Sequence, residues 1–421
     1  MDEPTREKLA GRRLLSAAAH HDIPLLKTLL KISSAKIKDD ETGYSPLHAA
    51  IASWNLSGRR GEWGDELDQK AIGILTSGSG SRVSTTEPSE ALVVDVVRLL
   101  FENGAIWNEL DAHDETPGCI AWRLGLMGAY RVIVEAGVRA ELLLTKLGEL
   151  NGDDEDDEDE VDEGDDVESQ EVVTDMPDQA ETAGTISTDQ KSLEQPPLDY
   201  IDHWDSNNAF LRSSLKYTDT TLLDSSSNAV MMDWEKQIMT RHAELLLPKP
   251  GLRSMNIGHG MGIVDTAMLA LNPSEHHIVE AHPAVIRRLK ETGWYDKPNV
   301  RIHQGRWQDV LPKLLEEGVQ LDAVYYDTFA ESYQDLKELF EEYVIGLLDE
   351  GGKFGFYHGL GADRRVCYDV YTEVVEIDLK DAGYSSEWEE LKVPKIEWSG
   401  VRRPYWNVDI YRLPTCKFAG E

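Results

Sequence analysis

Five consecutive residues, Gly258-His259-Gly260-Met261-Gly262, fall between an apolar strand pattern and a helix pattern. Glycines at such a junction allow a tight bend and let a ligand approach the backbone. Glu280 ends a second strand pattern 22 residues after Gly258, where a carboxylate can accept both hydroxyls of a ribose. Asp327 ends a fourth strand pattern and is followed by Thr328-Phe329. A dinucleotide enzyme uses G-x-G-x-x-G to seat a pyrophosphate on the helix. Here the third glycine comes one residue early and Ile263 follows it. Nicotinamide enzymes, flavoproteins and methyltransferases all use glycine turns. The spacing favours methyl transfer, with Asp327 facing the transferred group.

Alternating strands and helices must position these residues. The patterns predict strands over 252–257, 277–281, 300–304, 321–327 and 353–357. Helices are expected over 263–271, 284–292 and 332–348, and a late edge strand over 408–412. This order implies an α/β fold, a doubly wound, Rossmann-like parallel sheet with its ligand at the carboxyl ends of the strands.

The stretch 230–327 resembles guanidinoacetate N-methyltransferase. The matching pieces are Met231-Met232-Asp233-Trp234-Glu235, Met239, Gly258 to Ile263, Glu280-Ala281-His282, Gly305-Arg306-Trp307 with Asp309, and Tyr326-Asp327-Thr328. With the N-terminal half described below, the chain resembles the fungal protein arginine N-methyltransferase 2 family, which is type IV and acts on the δ-nitrogen of arginine. The resemblance implies a class I methyltransferase domain using S-adenosylmethionine. Gly258, His259, Gly260, Met261, Gly262 and Ile263 would line its methionine part. Glu280 would hold the ribose beside Ala281 and His282. Arg306 and Trp307 would cover the adenine, and Met231 and Met239 would lie near the sulfonium, which Asp327 borders. Phe210, or else Tyr217, would close the site. Asn256 departs from the relative, which has a carboxylate there to help hold the methionine ammonium.

The carboxylates Asp327 and Glu235 are the expected catalytic pair. An arginine side chain has a pKa of about 12.5 to 13.8, so removing its proton at pH 7 costs about 8 to 9 kcal/mol. Paired carboxylates can fix the guanidinium and receive that proton as the new bond forms.

Before this domain the sequence carries a repeat. Ser45-Pro46-Leu47-His48-Ala49-Ala50 and Thr116-Pro117-Gly118-Cys119-Ile120-Ala121 resemble the start of an ankyrin repeat, T-P-L-H-x-A. Pro46 and Pro117 are 71 residues apart, well beyond one period of roughly 33, which predicts an insertion at about 58–89. A second helix of the later repeat is expected to end near Gly137, and Leu14 to Leu30 reads as a degenerate terminal repeat. Residues 1–150 are therefore expected to form an all-α ankyrin-like domain, 151–196 an acidic, disordered linker, and 197–421 the methyltransferase domain. Asp153 to Glu171 holds 14 Asp or Glu and no Lys or Arg.

The net charge of −36 argues against direct nucleic-acid binding and suits a basic protein partner. The resemblance implies a ribosomal protein, docked through the repeats. No apolar run is long enough for a membrane span, and the three cysteines have no paired spacing. A cytoplasmic and nuclear monomer without a metal is expected. Two other readings are a small-guanidine methyltransferase and a non-catalytic scaffold. The docking repeats oppose the first; the presence of Glu280 and Asp327 opposes the second.

Overall fold

The computed structural model describes residues 3–54, 89–152 and 203–420. The expected insertion at 58–89 and acidic linker at 151–196 lie outside the described residues except at their ends.

Among the described residues, the N-terminal half contributes six helices: α1 (Glu3–Ala19), α2 (Ile23–Leu29), α3 (Pro46–Ala52), α4 (Glu90–Glu102), α5 (Pro117–Arg123) and α6 (Met127–Gly152). Their starts follow from local chemistry. Asp22, Ser89 and Thr116 each accept a backbone N–H from the first turn of the following helix, and Pro46 and Pro117 open α3 and α5, where no amide donor is needed. His48 joins the two motif copies: its Nδ1 accepts the Ser45 N–H at 3.1 Å, and its Nε2 lies 3.1 Å from the Glu115 carbonyl oxygen. One expectation fails. Gly137 does not end a helix but lies inside α6. A Cβ there would stand 2.7 Å from Val370 and 3.0 Å from Trp107, so this glycine serves close packing.

Val370 belongs to the other half of the chain. It lies on α14 (Arg365–Asp381), where Val366, Val370 and Val374 are fully buried in the core formed by the N-terminal helices. The Tyr130 hydroxyl donates to Asp369 at 2.5 Å and the Tyr371 hydroxyl to Glu141 at 3.1 Å. The two halves thus share a core.

The C-terminal half begins with α7 (His203–Arg212) and a small antiparallel sheet of β1 (Lys216–Tyr217), β2 (Thr221–Leu223) and β3 (Ala229–Met232), followed by α8 (Lys236–Leu246). The main sheet comprises β4 (Arg253–Ile257), β5 (Glu275–Glu280), β6 (Val300–Gln304), β7 (Leu321–Tyr326), β8 (Leu348–Phe356), β9 (Tyr384–Lys392) and β10 (Ile410–Phe418), ordered β6-β5-β4-β7-β8-β10-β9. The first five strands are parallel, as expected. β10 is antiparallel to both β8 and β9, so the sheet is mixed. The late strand is therefore internal, and the edge is β9, whose Glu- and Ser-rich sequence hides a strand pattern.

Crossover helices α9 (Ile263–Ala270), α10 (Pro283–Glu291) and α11 (Trp307–Glu316) follow β4, β5 and β6, and α12 (Tyr333–Glu338) runs through a π-helical turn, Leu339–Val344, into α13 (Ile345–Leu347). β7 shows how both faces are covered. Val324 and Tyr326 join one buried cluster with α11 and α14, while Ala323 and Tyr325 join another with α8 and α9. Such two-sided burial accounts for the continuous apolar run in this strand. No helix among the described residues is long and apolar enough to cross a membrane.

Candidate active site

The glycine turn is held between the ends of three strands. The Gly258 N–H donates to the Val279 carbonyl at 2.9 Å, and the Asp327 N–H donates to the Ile257 carbonyl at 2.9 Å. Gly258, Gly260 and Gly262 all have positive φ, at 95°, 54° and 74°, a region that side-chain-bearing residues rarely adopt. Glu280 reinforces the turn: Oε2 accepts the His259 N–H at 2.9 Å, and Oε1 accepts the His282 N–H at 2.7 Å.

A cleft opens above these carboxyl ends. Phe210, Met231, Gly258, Gly260, Glu280, Ala281, His282, Arg306, Trp307 and Asp327 all line it. Phe210 packs on His282 and Phe329, with centroids 4.9 and 4.8 Å apart, and its carbonyl lies 3.1 Å from His282 Nε2. Tyr217, the other candidate for closing the site, instead donates its hydroxyl to the Gly260 carbonyl at 3.1 Å, with Arg288 over its ring. It ties the small sheet to the turn.

Other singled-out residues do not line the cleft. Met239 is fully buried in the core below it. Met261 and Ile263 pack on that same core, though the Met261 N–H reaches the Met231 sulfur at 3.3 Å. Gly262 caps α9 against the His259 ring. The His259 side chain turns away, placing Nδ1 2.7 Å from Asp265.

Asp265 is fully buried and organises the back of the turn. His276 Nε2 lies 2.8 Å from it, and the Asn256 amide donates to it at 2.9 Å and to the Gly258 carbonyl at 2.8 Å. Burial alone would raise its pKa, but His259 and His276 bring it down to about 2. Asn256, in place of the relative's carboxylate, therefore has a carboxylate one step behind it.

The two expected catalytic carboxyls occupy buried ground. Asp327 Oδ2 is buried with no hydrogen-bond partner among the described residues. Burial, then the nearby Glu235 and Asp265, push its pKa well above the usual carboxylate range. Glu235 is 4% exposed and is not among the residues that line the cleft. Burial pushes its pKa up to about 7, although hydrogen bonds from Tyr405, Met232 and Tyr357 oppose the rise. A cation brought to either carboxyl would favour its charged form.

Glu331 was not legible as a site residue. It lines the cleft and accepts from the Trp307 indole at 3.1 Å, from Thr328 at 2.5 Å and from Tyr326, fixing the Trp307 ring. Asn208 similarly accepts from Arg306 at 2.7 Å. Neither has a local sequence pattern that marks it. No cluster of metal-ligating side chains occurs among the described residues.

The profile of the guanidinoacetate N-methyltransferase family matches residues 200–381. The chain is 49% identical over 424 residues to protein arginine N-methyltransferase 2 of Aspergillus fumigatus, covering 97% of this chain and 96% of that one. It is 40% identical over 339 residues to the Saccharomyces cerevisiae protein of that name, covering 78% of each. Among solved structures, an O-methyltransferase from Streptomyces achromogenes in complex with SAM matches at a TM-score of 0.33 and 16% identity, covering 44% of this chain and 80% of that one. Identity at this level along nearly the full length of both proteins is decisive: the chain belongs to the protein arginine N-methyltransferase 2 family.

Proposed function

We propose that the protein uses S-adenosylmethionine to place a single methyl on the δ-nitrogen of an arginine in a basic protein, a type IV activity. The observation that carries this reading is Asp327 Oδ2, buried without a partner on the wall of the cleft with Glu235 close behind. Burying carboxyls with no cation beside them is costly, and groups kept at such a cost cluster at functional sites.

The cleft fits the cofactor. Leu211, Leu222, Val285 and Phe329 supply apolar walls for a purine, Glu280 a carboxylate for ribose hydroxyls, and Asp327 an acceptor for positive charge. Bound there, S-adenosylmethionine supplies an activated methyl on a sulfonium. The chain's own residues do the rest. Glu235 holds a terminal nitrogen of the guanidinium, and Asp327, at the cleft wall, accepts the N–H of the substituted nitrogen, so that this nitrogen loses its proton to Asp327 as it takes the methyl. Glu331 and Trp307 hold the adenine side rigid.

The N-terminal helices are read as ankyrin-like repeats that dock the substrate, a ribosomal protein being the class the family resemblance suggests. The capped, proline-initiated α3 and α5 and their His48 bridge support that reading. The enzyme is proposed to act as a monomer in cytoplasm and nucleus. The test is to incubate the full chain with labelled S-adenosylmethionine and a cell extract, then locate the methyl by fragment mass spectrometry. A single methyl on the δ-nitrogen supports the proposal. Label on a terminal nitrogen overturns the type IV assignment. Label only in free guanidino compounds overturns the protein substrate.

A further inference from the structure

Glu235 does not stand alone. Its Oε1 accepts two phenolic hydroxyls, Tyr405 at 2.5 Å and Tyr357 at 3.2 Å. Its Oε2 accepts the Met232 N–H at 3.2 Å. The Trp234 indole N–H, which can only donate, reaches the Tyr405 oxygen at 3.0 Å. With that lone pair engaged, Tyr405 turns its own proton toward Glu235. Oε1 is therefore filled by two donors, and Oε2 keeps capacity for another.

Tyr405 comes from the segment between β9 and β10, which is pinned at several points. The Arg402 N–H donates to the Ser227 carbonyl at 2.8 Å, and the Asn407 N–H to the Ala362 carbonyl at 2.7 Å. Trp398 packs edge-on against the Tyr405 ring with centroids 4.9 Å apart, and Trp406 packs against Trp234 at 5.5 Å. These contacts fix the phenol in place beside Glu235.

We propose that Tyr405 is a positioning residue for the methylation reaction: oriented by Trp234, it holds Glu235 Oε1 so that Oε2 is the oxygen offered to the arginine. This rests on the reading of Glu235 as a guanidinium ligand. Tyr405 also keeps that carboxyl ionisable. The groups facing Glu235 from neighbouring elements are Tyr405, Tyr357, Tyr411, Tyr325 and Asp327. Asp327 is the acid among them, and of the phenols Tyr405 and Tyr357 donate to Glu235. Removing the Tyr405 hydroxyl takes a donor from the charged form, so the carboxyl should hold its proton to higher pH.

The test follows the Glu235 carboxyl by carbon-13 NMR in the full chain, its signal assigned by its loss in Glu235→Gln. In Tyr405→Phe the titration midpoint should move upward by roughly one pH unit. In Trp234→Phe, which frees the hydroxyl rotor, it should move less in the same direction. Retained S-adenosylmethionine affinity reports that each variant is folded. The acid limb of kcat/KM on an arginine-rich basic peptide should follow the same shift, with the rate recovering at high pH. An unmoved midpoint in folded Tyr405→Phe, or a rate loss equal at every pH, overturns the proposal and leaves the Glu235 reading standing. Normal turnover in Glu235→Gln sinks that underlying reading instead. Should Tyr405→Phe fail to fold, an unmoved midpoint in Trp234→Phe overturns the proposal.

Discussion

The carbonyl oxygen of Asp327 lies 2.0 Å from where a Cβ on Gly258 would stand. The glycine turn and the end of β7 therefore leave no room for a side chain between them, which sets the turn beside the strand end whose carboxyl is proposed to take the proton. Gly258→Ala must push these strand ends apart and hold φ near +95°, at a strain of about 1 to 3 kcal/mol before any clash. Lower thermal stability and loss of S-adenosylmethionine binding in calorimetry are expected. Wild-type affinity in this variant would show that the close approach is not needed.

Asp327→Asn keeps the shape and one acceptor oxygen but removes the charge. Cofactor binding should persist while turnover falls by about 10² to 10⁴-fold, as for a lost general base. Raising the pH should recover only part of it. Single-turnover methylation of a basic peptide would separate this outcome from a binding defect.

Glu280→Ala has two effects. It removes the acceptor proposed for the ribose, weakening cofactor binding by about 1.5 to 3 kcal/mol, and it orphans the His259 and His282 amides, at a further cost to stability of about 1 to 3 kcal/mol each. Both cofactor affinity and denaturation midpoint should fall. Glu280→Gln should restore only part of the stability, because its oxygen can accept one of the two amides while its NH2 meets the other.

The pKa of Glu235 has a signed consequence for the free protein. Burial raises it to about 7, so the fold favours the neutral form. That stability is fully present below the unfolded value near 4.5 and is lost as pH rises through about 7. Glu235→Gln cannot ionise. It should therefore gain on the wild type at pH 8 by an amount on the order of 3 kcal/mol, with little gain at pH 5. Urea midpoints at the two pH values measure this directly. A gain at pH 5 equal to that at pH 8 would remove ionisation as its cause.

A fragment starting at residue 197 would bare Val366, Val370 and Val374, which the N-terminal helices now cover. Each buried valine contributes up to about 1.5 to 3 kcal/mol. The fragment should melt lower than the whole chain and self-associate in size-exclusion chromatography. Equal stability and a monomeric profile would show that the covering contributes nothing.

The parallel part of the sheet, its glycine turn and the strand-end carboxylates Glu280 and Asp327 were legible because each rests on local pattern: an apolar run, a glycine cluster, an acid at a fixed distance. What depends on distant pairing was not. His259 looked like a cofactor contact until Asp265, six residues on, drew its ring behind the turn. Met239 has helical spacing, which places it on a buried face without saying what lies opposite. Tyr405 sits 170 residues from Glu235, and nothing near it marks a partner. Gly137 read as a helix stop because a missing side chain looks the same whether it serves a turn or the close passage of another helix. The short strands β1 to β3 carry too few residues to establish an alternation.

The core shared by α5, α6 and α14 holds the two halves by contact as well as by the chain that joins them. Joining two fitting surfaces makes their pairing intramolecular, at an effective concentration set by the join. The halves would recognise each other even as separate polypeptides, with the join setting how completely they pair.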